Sequence, residues 1–126
     1  MEMSLSSLLL AVCTFCSVVS AATRTYDFSV GWVRRSPDGQ QPRPVIGING
    51  EWPIPRISAD VGDTVVVNMK NDLGNQSTSI HFHGLYQNGT SHMDGVVGGT
   101  QCPVPPGSTF TYRFNVSLTR DLRDFY

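Results

Sequence analysis

The chain has 126 residues, 40% hydrophobic and 15% charged, which suffices for one domain and excludes two of ordinary size. Nine Lys and Arg balance ten Asp and Glu to a net charge of -1. The basic residues are scattered except for Arg34-Arg35, so we expect no nucleic-acid partner, because phosphate binding needs a basic surplus on one face. Twelve Gly and eight Pro favour short strands joined by turns over a helical bundle.

The first segment, residues 1–22, predicts a secretory signal peptide. Leu8 to Val19 is dominated by apolar side chains but is shorter than the roughly 20 residues that span a bilayer. The small residues at Ala21 and Ala22 suit cleavage. We therefore expect a secreted or cell-surface protein, with no membrane span in this chain once the signal is removed.

Three sequons agree with secretion, because Asn75, Asn88 and Asn115 can each accept a glycan in the secretory pathway. Two of the three cysteines leave with the signal segment, so Cys102 remains alone. An odd Cys in a secreted chain is a free thiol or half of a disulfide whose other half lies elsewhere. The solitary Cys102 is a first indication that the chain is incomplete.

From residue 23 onward, apolar side chains recur with a period of two, which predicts strands. In chain order, the predicted strands cover Tyr26 to Trp32, Arg43 to Ile48, a short stretch from Ile57, Thr64 to Lys70, Ser79 to His83 and Thr109 to Val116. Residues 84–107, with six Gly and three Pro, predict a long loop. Several short strands with frequent turn signals are typical of an all-β fold, a Greek-key β-sandwich.

Chemistry concentrates at His81-Phe82-His83-Gly84. Residues i and i+2 of a strand lie on one face with origins about 7 Å apart, so the two imidazoles could hold one metal or two neighbouring metals. Neutral imidazole suits Cu, Zn, Fe and Ni, so the spacing does not name the metal, and two ligands do not complete a site. On this motif alone, ordinary hydrogen-bonded strand histidines are an open alternative.

Other chemistries fit the residue inventory less well. A mononuclear blue-copper site needs two His and a Cys, and no His follows Cys102. Structural zinc usually needs four Cys and His ligands, which Cys102 and the three His could only just supply. Neither a Gly-x-Ser-x-Gly elbow nor a phosphate-binding Gly-rich motif is present. Asp94 precedes a Gly and is turn-forming by default, although it could also serve as an acid, a base or an orienting group.

An ordered succession of motifs resembles the first cupredoxin domain of multicopper oxidases, most closely that of the fungal iron-transport ferroxidases. The motifs are Tyr26-Asp27-Phe28, Asn49-Gly50-Glu51-Trp52-Pro53, Gly62-Asp63-Thr64, the stretch from Ser79 to Thr90, Met93-Asp94-Gly95-Val96, Thr100-Gln101-Cys102-Pro103-Val104 and Pro106-Gly107. The resemblance covers residues 24–116 and implies a cupredoxin-like sandwich.

The resemblance also implies copper as the cofactor. By its pattern, His81 would ligate the type 2 copper and His83 one of the paired type 3 coppers of a trinuclear cluster. Asp94 would help to deliver protons while dioxygen is reduced to water, and Cys102 would pair with a distant cysteine. The implied partners are the rest of the oxidase polypeptide and an iron permease. His92 matches no family role, and we interpret it as an exposed loop residue.

The chain also departs from the family. The second His-x-His expected later in the first domain is absent, and residues 117–126 form a tail unlike the family, as in a truncated or misread gene model. We therefore expect residues 23–116 to be a cupredoxin domain that is incomplete at its C-terminal end. The functional hypothesis is the N-terminal copper-binding domain of a multicopper oxidase acting on Fe(II) or phenols, inactive in isolation. The alternative is a non-catalytic copper-binding or interaction domain.

Overall fold

The computed structural model describes residues 20–117, in which four strands form one mixed sheet. They are β1 (Thr23–Arg35), β2 (Arg43–Ile48), β3 (Thr64–Asn71) and β4 (Thr109–Asn115), in the spatial order β2-β1-β3-β4. No α-helix occurs in this range, and a short 3₁₀ turn covers Ser91–Met93. The expected all-β fold is confirmed. Most of the predicted signal segment and of the tail lies outside the described residues.

Strand β1 connects the two parts of the sheet, because its two halves pair with different neighbours. Its second half pairs antiparallel with β2, from Val30 opposite Ile48 to Arg35 opposite Arg43. Its first half pairs parallel with β3, beginning with Thr23 opposite Thr64. Strand β4 then pairs antiparallel with β3. The parallel pair requires the chain to cross from β2 past β1 to β3, which residues 49–63 accomplish.

Asn49, which directly follows β2, continues the pairing of β1 with its own side chain. Its Oδ1 accepts a hydrogen bond from the Ser29 backbone N–H at 2.7 Å, and its Nδ2 donates to the Asp27 carbonyl at 2.9 Å. Its backbone N–H donates to the Ser29 carbonyl at 2.8 Å. With φ at 53°, Asn49 takes the left-handed conformation that Asn tolerates better than most residues, and this turns the chain away from β1.

The core lies on one face of the sheet, where the alternating apolar side chains point. Val65, Val67 and Met69 of β3 are fully buried, as expected from their shared face. Tyr112, Phe114 and Val116 are buried in and just after β4, while Phe28 and Val30 are buried in β1. The period-two pattern therefore placed these strands correctly, and Ile57, Ile80, Phe82 and Val104 pack over them from the other side.

Two of the predicted strands are wrong. Neither the stretch from Ile57 nor Ser79 to His83 forms a ladder within residues 20–117. Both are irregular segments, and a turn begins at His83. Near Ile57 the chain is fastened by the Tyr26 hydroxyl, which donates to the Ser58 carbonyl at 2.6 Å and accepts from its N–H at 3.0 Å. The second layer over the sheet is thus built from segments that are not strands. Apolar alternation indicates burial on one side, but it does not indicate a neighbouring strand.

Asn71, fully buried at the end of β3, sets the position of the layer that carries the histidine pair. Its Nδ2 donates to the carbonyls of Gln76 and Val104 at 2.8 and 2.9 Å, and its Oδ1 accepts from the Leu73 N–H at 3.0 Å. Val104 and Thr78 exchange two backbone hydrogen bonds. The side chain of Asn71 is therefore satisfied although buried, and Thr78 is fixed immediately before the histidine segment.

Asp63 joins the start of β1 to the start of β3. The residue is 3% exposed, and its carboxylate accepts hydrogen bonds from Arg24 Nε at 2.8 Å, the Ala22 N–H at 2.8 Å and the Asp60 N–H at 3.1 Å. The Arg24 guanidinium, followed by the two backbone N–H groups, lowers the pKa of Asp63 to about 2. A carboxyl whose pKa is lower in the folded state stabilises the fold when it is ionised.

We predict that Asp63→Asn destabilises the chain at neutral pH and that its effect shrinks in acid. The stabilisation by ionised Asp63 is complete above the ordinary Asp pKa of about 3.9 and is lost as the pH falls through about 2. Urea denaturation at several pH values measures this. Asp38→Asn is the control, because Asp38 pairs with Arg43 on the surface, and such pairs stabilise little. Denaturation midpoints that differ equally at all pH values would contradict the assignment.

Candidate metal centre

Burial of Phe82 orients the two histidines. Its ring packs edge-on against Tyr112, with centroids 5.2 Å apart, and against Phe114 at 4.7 Å. Successive side chains of an extended segment point to opposite sides, so His81 and His83 both point away from the core. Their rings meet edge to face with centroids 5.5 Å apart. The expectation that the pair lies on one side is confirmed, although the segment is not a paired strand.

The backbone carbonyl of Asp94 fixes the His81 ring. It accepts a hydrogen bond from His81 Nδ1 at 2.8 Å and another from the Phe82 N–H at 3.2 Å. Because a carbonyl can only accept, His81 Nδ1 carries the hydrogen in this arrangement. The lone pair of His81 Nε2 is then available for a metal ion, as in metal sites where the second ring nitrogen donates to a carbonyl.

The Asp94 carboxylate lies beside the same ring. Its Oδ1 is 3.5 Å from His81 Nδ1, and the side chain is 21% exposed. The structure thus brings Asp94 next to His81, and the backbone of Asp94 makes the shorter contact. The turn-forming default is also consistent with the structure, because Asp94 ends the 3₁₀ turn.

An open cavity of about 490 Å³ adjoins the histidines. One side is formed by residues 52–57 and the other by residues 80–83, and Phe28 and Ile48 of the sheet also line it. Its lining is mainly apolar and includes both imidazoles, together with Trp52 and Arg56. A concave apolar space with a few polar groups at its rim is typical of a site that receives another group.

The remaining predicted site residues lie on the surface. Cys102 is an exposed free thiol, and Asn75, Asn88 and Asn115 are all exposed, as a glycan acceptor must be. His92 is exposed in the 3₁₀ turn, in agreement with its interpretation as a loop residue. Between residues 20 and 117, no group of three or more His, Cys, Asp or Glu is placed to hold a metal ion.

Sequence reasoning missed the group that supports the histidine segment from the core. The buried Tyr112 hydroxyl accepts a hydrogen bond from the Ile80 N–H at 3.0 Å, and burial raises the pKa of this phenol. A tyrosine among inward-facing residues of a strand signals a buried hydroxyl that needs a partner, but the pattern does not say which partner. Here the partner is the residue before His81.

Comparisons with known proteins agree on one family. The family described as multicopper oxidase matches residues 29–121. The iron transport multicopper oxidase FET3 of Gibberella zeae is 64% identical over 96 residues, which is 76% of this chain and 15% of that protein. The matched part of this chain therefore spans about a seventh of that relative's length.

Solved structures give the same result. The chain is 50% identical to Fet3p, described as a multicopper oxidase that functions in iron import, with a TM-score of 0.71 over 75% of this chain and 18% of that one. The laccase from Botrytis aclada is 44% identical, with a TM-score of 0.72 over 77% of this chain and 18% of that one. Both likenesses extend the agreement from sequence to fold.

We predict that Tyr112→Phe lowers the free energy of unfolding by about 1–3 kcal/mol, the usual cost of leaving a buried donor unsatisfied. The substitution removes the acceptor of the Ile80 N–H and leaves the ring packing in place. Urea denaturation measures the loss. Tyr86→Phe is the control, because Tyr86 is 78% exposed and should change nothing. Equal stability of the two variants would show that the Tyr112 hydroxyl does not support the segment.

Proposed function

The chain belongs to the multicopper oxidase family, and from this membership we propose that His81 and His83 are copper ligands of its first cupredoxin domain. The observation that carries the proposal is the histidine pair itself. The rings lie 5.5 Å apart on one side of the segment, and His81 Nε2 is left available by the bond at Nδ1. Imidazole nitrogen is a suitable copper ligand.

Two histidines form part of a copper site and not the whole of it. We propose that the other ligands come from the rest of a longer oxidase polypeptide, which is the first expected partner. The small share of the relatives that this chain spans, 15% and 18% in the proteins named above, supports this. The resemblance assigns His81 to the type 2 copper and His83 to a type 3 copper of a trinuclear cluster.

Copper, when bound, supplies the electron transfer that couples substrate oxidation to the reduction of dioxygen. Overall, four Fe(II) ions lose one electron each, and these electrons with four protons convert one dioxygen into two waters. The proposed part of this chain is to hold copper through His81 and His83 and to supply protons through Asp94. The half-buried Asp94 carboxylate, with Oδ1 3.5 Å from His81 Nδ1, can hold a proton next to the site.

The proposed substrate is Fe(II), with phenols as the alternative. The relative from Gibberella zeae is named for iron transport, whereas a structure of comparable likeness is a laccase. If iron is the substrate, the partner that the resemblance implies is an iron permease. Whatever the substrate, the resemblance implies that Cys102 forms a disulfide with a cysteine of the remaining polypeptide, and its thiol is exposed.

The proposed location is the cell surface or the exterior of the cell. The signal segment and the sequons support it, and Asn75, Asn88 and Asn115 are exposed. A search of the described residues for a helix long and apolar enough to cross a membrane gave no candidate. Glycans at the three asparagines, detected by mass shifts after enzymatic deglycosylation, would support passage through the secretory pathway.

Exposed apolar residues support the proposal of a polypeptide partner. Trp32 and Ile46 lie opposite each other in β1 and β2 and are 46% and 42% exposed, while Ile54 at the cavity is 51% exposed. Large exposed apolar residues, a pair on the sheet and one at the cavity, are typical of a surface that another protein element covers. The remaining oxidase polypeptide is the proposed cover.

The alternative function is a non-catalytic copper-binding or interaction domain, and its interaction form needs no complete metal site. Residues 20–117 hold no group of three or more potential metal ligands. For this reason the isolated chain should retain copper poorly, since a metal is lost to chelators where no closed site holds it.

We predict that the isolated chain binds copper sub-stoichiometrically, is not blue, and takes up no oxygen with Fe(II) or a phenol. Elemental analysis, the visible spectrum and an oxygen electrode measure these properties. His81→Ala should remove most of the residual copper, while His92→Ala, which changes an exposed histidine outside the pair, should leave it. Three or more coppers per chain, with oxygen uptake abolished by His81→Ala, would overturn the prediction.

We predict that residues 24–116 function when they replace the matching part of the Gibberella zeae oxidase. The chimera should bind a full complement of copper and oxidise Fe(II), because this chain supplies the two histidines and the relative supplies the other ligands. His81→Ala or His83→Ala should abolish oxidation, and His92→Ala should not. A folded chimera that oxidises Fe(II) equally well without His81 and His83 would refute the copper-ligand proposal. Faster oxidation of phenols than of Fe(II) would favour the alternative substrate.

A further inference from the structure

The geometry points to Ser79 and Gly95 as positioning residues that set the ring orientation and tautomer of His81. The inference rests on the proposed function for its consequence in copper binding, but its structural part concerns only residues of this chain. It is carried by the crossing of two stretches, residues 79–82 and 94–95, which are separated in the sequence and meet beside His81.

Gly95 allows the two backbones to cross. A Cβ at this position would lie 1.7 Å from the Ile80 carbonyl oxygen and 2.9 Å from His81 Cα. Both are backbone atoms, so a side chain cannot be accommodated by a rotamer change. Gly95 also has φ at +83°, a conformation that glycine adopts without the steric cost paid by other residues. The close backbone contacts and the positive φ are two independent constraints, and both require glycine at position 95.

Ser79 fastens the crossing. Its Oγ donates to the Gly95 carbonyl at 2.7 Å. The preceding carbonyl, that of Asp94, accepts from the Phe82 N–H at 3.2 Å and from His81 Nδ1 at 2.8 Å. Three donors of residues 79–82 thus converge on two consecutive carbonyls. The Ser79 hydroxyl holds the Gly95 carbonyl, in the peptide unit between Gly95 and Val96. It thereby restrains the adjoining Asp94 carbonyl, whose direction decides the His81 tautomer.

The contrast with His83 shows what this device contributes. No hydrogen bond to His83 is found within the described residues, although its ring packs against that of His81. Its two nitrogens are therefore not distinguished by any group of this part of the chain. His81 alone has its ligating nitrogen selected before a metal arrives, and a ligand that is already oriented loses less entropy when the metal binds.

A purely structural role for Ser79 would leave the tautomer unchanged. The test is therefore histidine ¹⁵N NMR of the metal-free chain at pH about 8.5, about two units above the ordinary histidine pKa of about 6.5. In the wild type, His81 should show the hydrogen at Nδ1. In Ser79→Ala, His81 should populate both tautomers, because loss of the bond to the Gly95 carbonyl releases the Gly95–Val96 peptide unit and frees the adjoining Asp94 carbonyl to turn. His83 and His92 serve as internal references and should not change.

Matched variants separate the hydroxyl from general effects of substitution. Ser79→Thr keeps a hydroxyl and should restore the wild-type spectrum. Ser58→Ala changes a serine whose contacts in the described residues are through its backbone, and the His81 signals should stay as they are. Gly95→Ala is expected not to fold, because the added methyl meets backbone atoms, so Ser79→Ala is the informative variant.

Titration with Cu(II) ions alone gives a second readout. Ser79→Ala should weaken the affinity on the order of tenfold, the lower end of the effect of removing groups that orient metal ligands. A wild-type His81 tautomer in Ser79→Ala would overturn the inference, whatever the stability of the variant. A change of tautomer with an unchanged Cu(II) affinity would support the positioning role and would refute its proposed consequence for copper binding.

Discussion

The burial of the Phe82 ring against Tyr112 and Phe114 is the contact on which the candidate site depends. Because an extended segment alternates its side chains, an aromatic ring held in the core forces both neighbouring imidazoles to the opposite side. Burial of the Phe82 ring, driven by the hydrophobic effect, thus sets the side to which the two imidazoles point. The hydroxyl of Tyr112, bonded to the Ile80 N–H, adds a polar anchor in the same place, so one residue of β4 supports the segment by packing and by hydrogen bonding.

Most of the sheet was predictable from the sequence because burial on one face leaves a period of two. Arg43–Ile48 was predicted with its observed bounds, and β3 differs from its prediction by one residue. The errors at Ile57 and at Ser79 to His83 have one physical cause. Alternation reports that one side of a segment is buried, but a strand also needs a neighbour for its backbone. At both places a backbone N–H donates to a tyrosine hydroxyl. In the second, the Phe82 N–H donates to the Asp94 carbonyl, which lies outside any strand.

The site was predictable to a similar depth. The spacing of His81 and His83 indicated that they share a side, and the family resemblance implied that Asp94 lies near them. The tautomer of His81 could not be predicted from the sequence, because it depends on the direction of the Asp94 carbonyl, thirteen residues further along the chain. The requirement for Gly95 was equally hidden, since an Asp-Gly pair predicts a turn and does not reveal which backbone passes within reach of the missing Cβ.

Asn49 has an importance that goes beyond the turn in which it lies. Strand β2 ends opposite Val30, so the first half of β1 would present an unpaired edge there, and bare edges recruit strands from other molecules into fibres. The Asn49 side chain occupies the Ser29 N–H and the Asp27 carbonyl, and its backbone occupies the Ser29 carbonyl. One amide therefore closes the portion of the edge next to β2 with no additional strand, and protects the chain against edge-to-edge aggregation at that point.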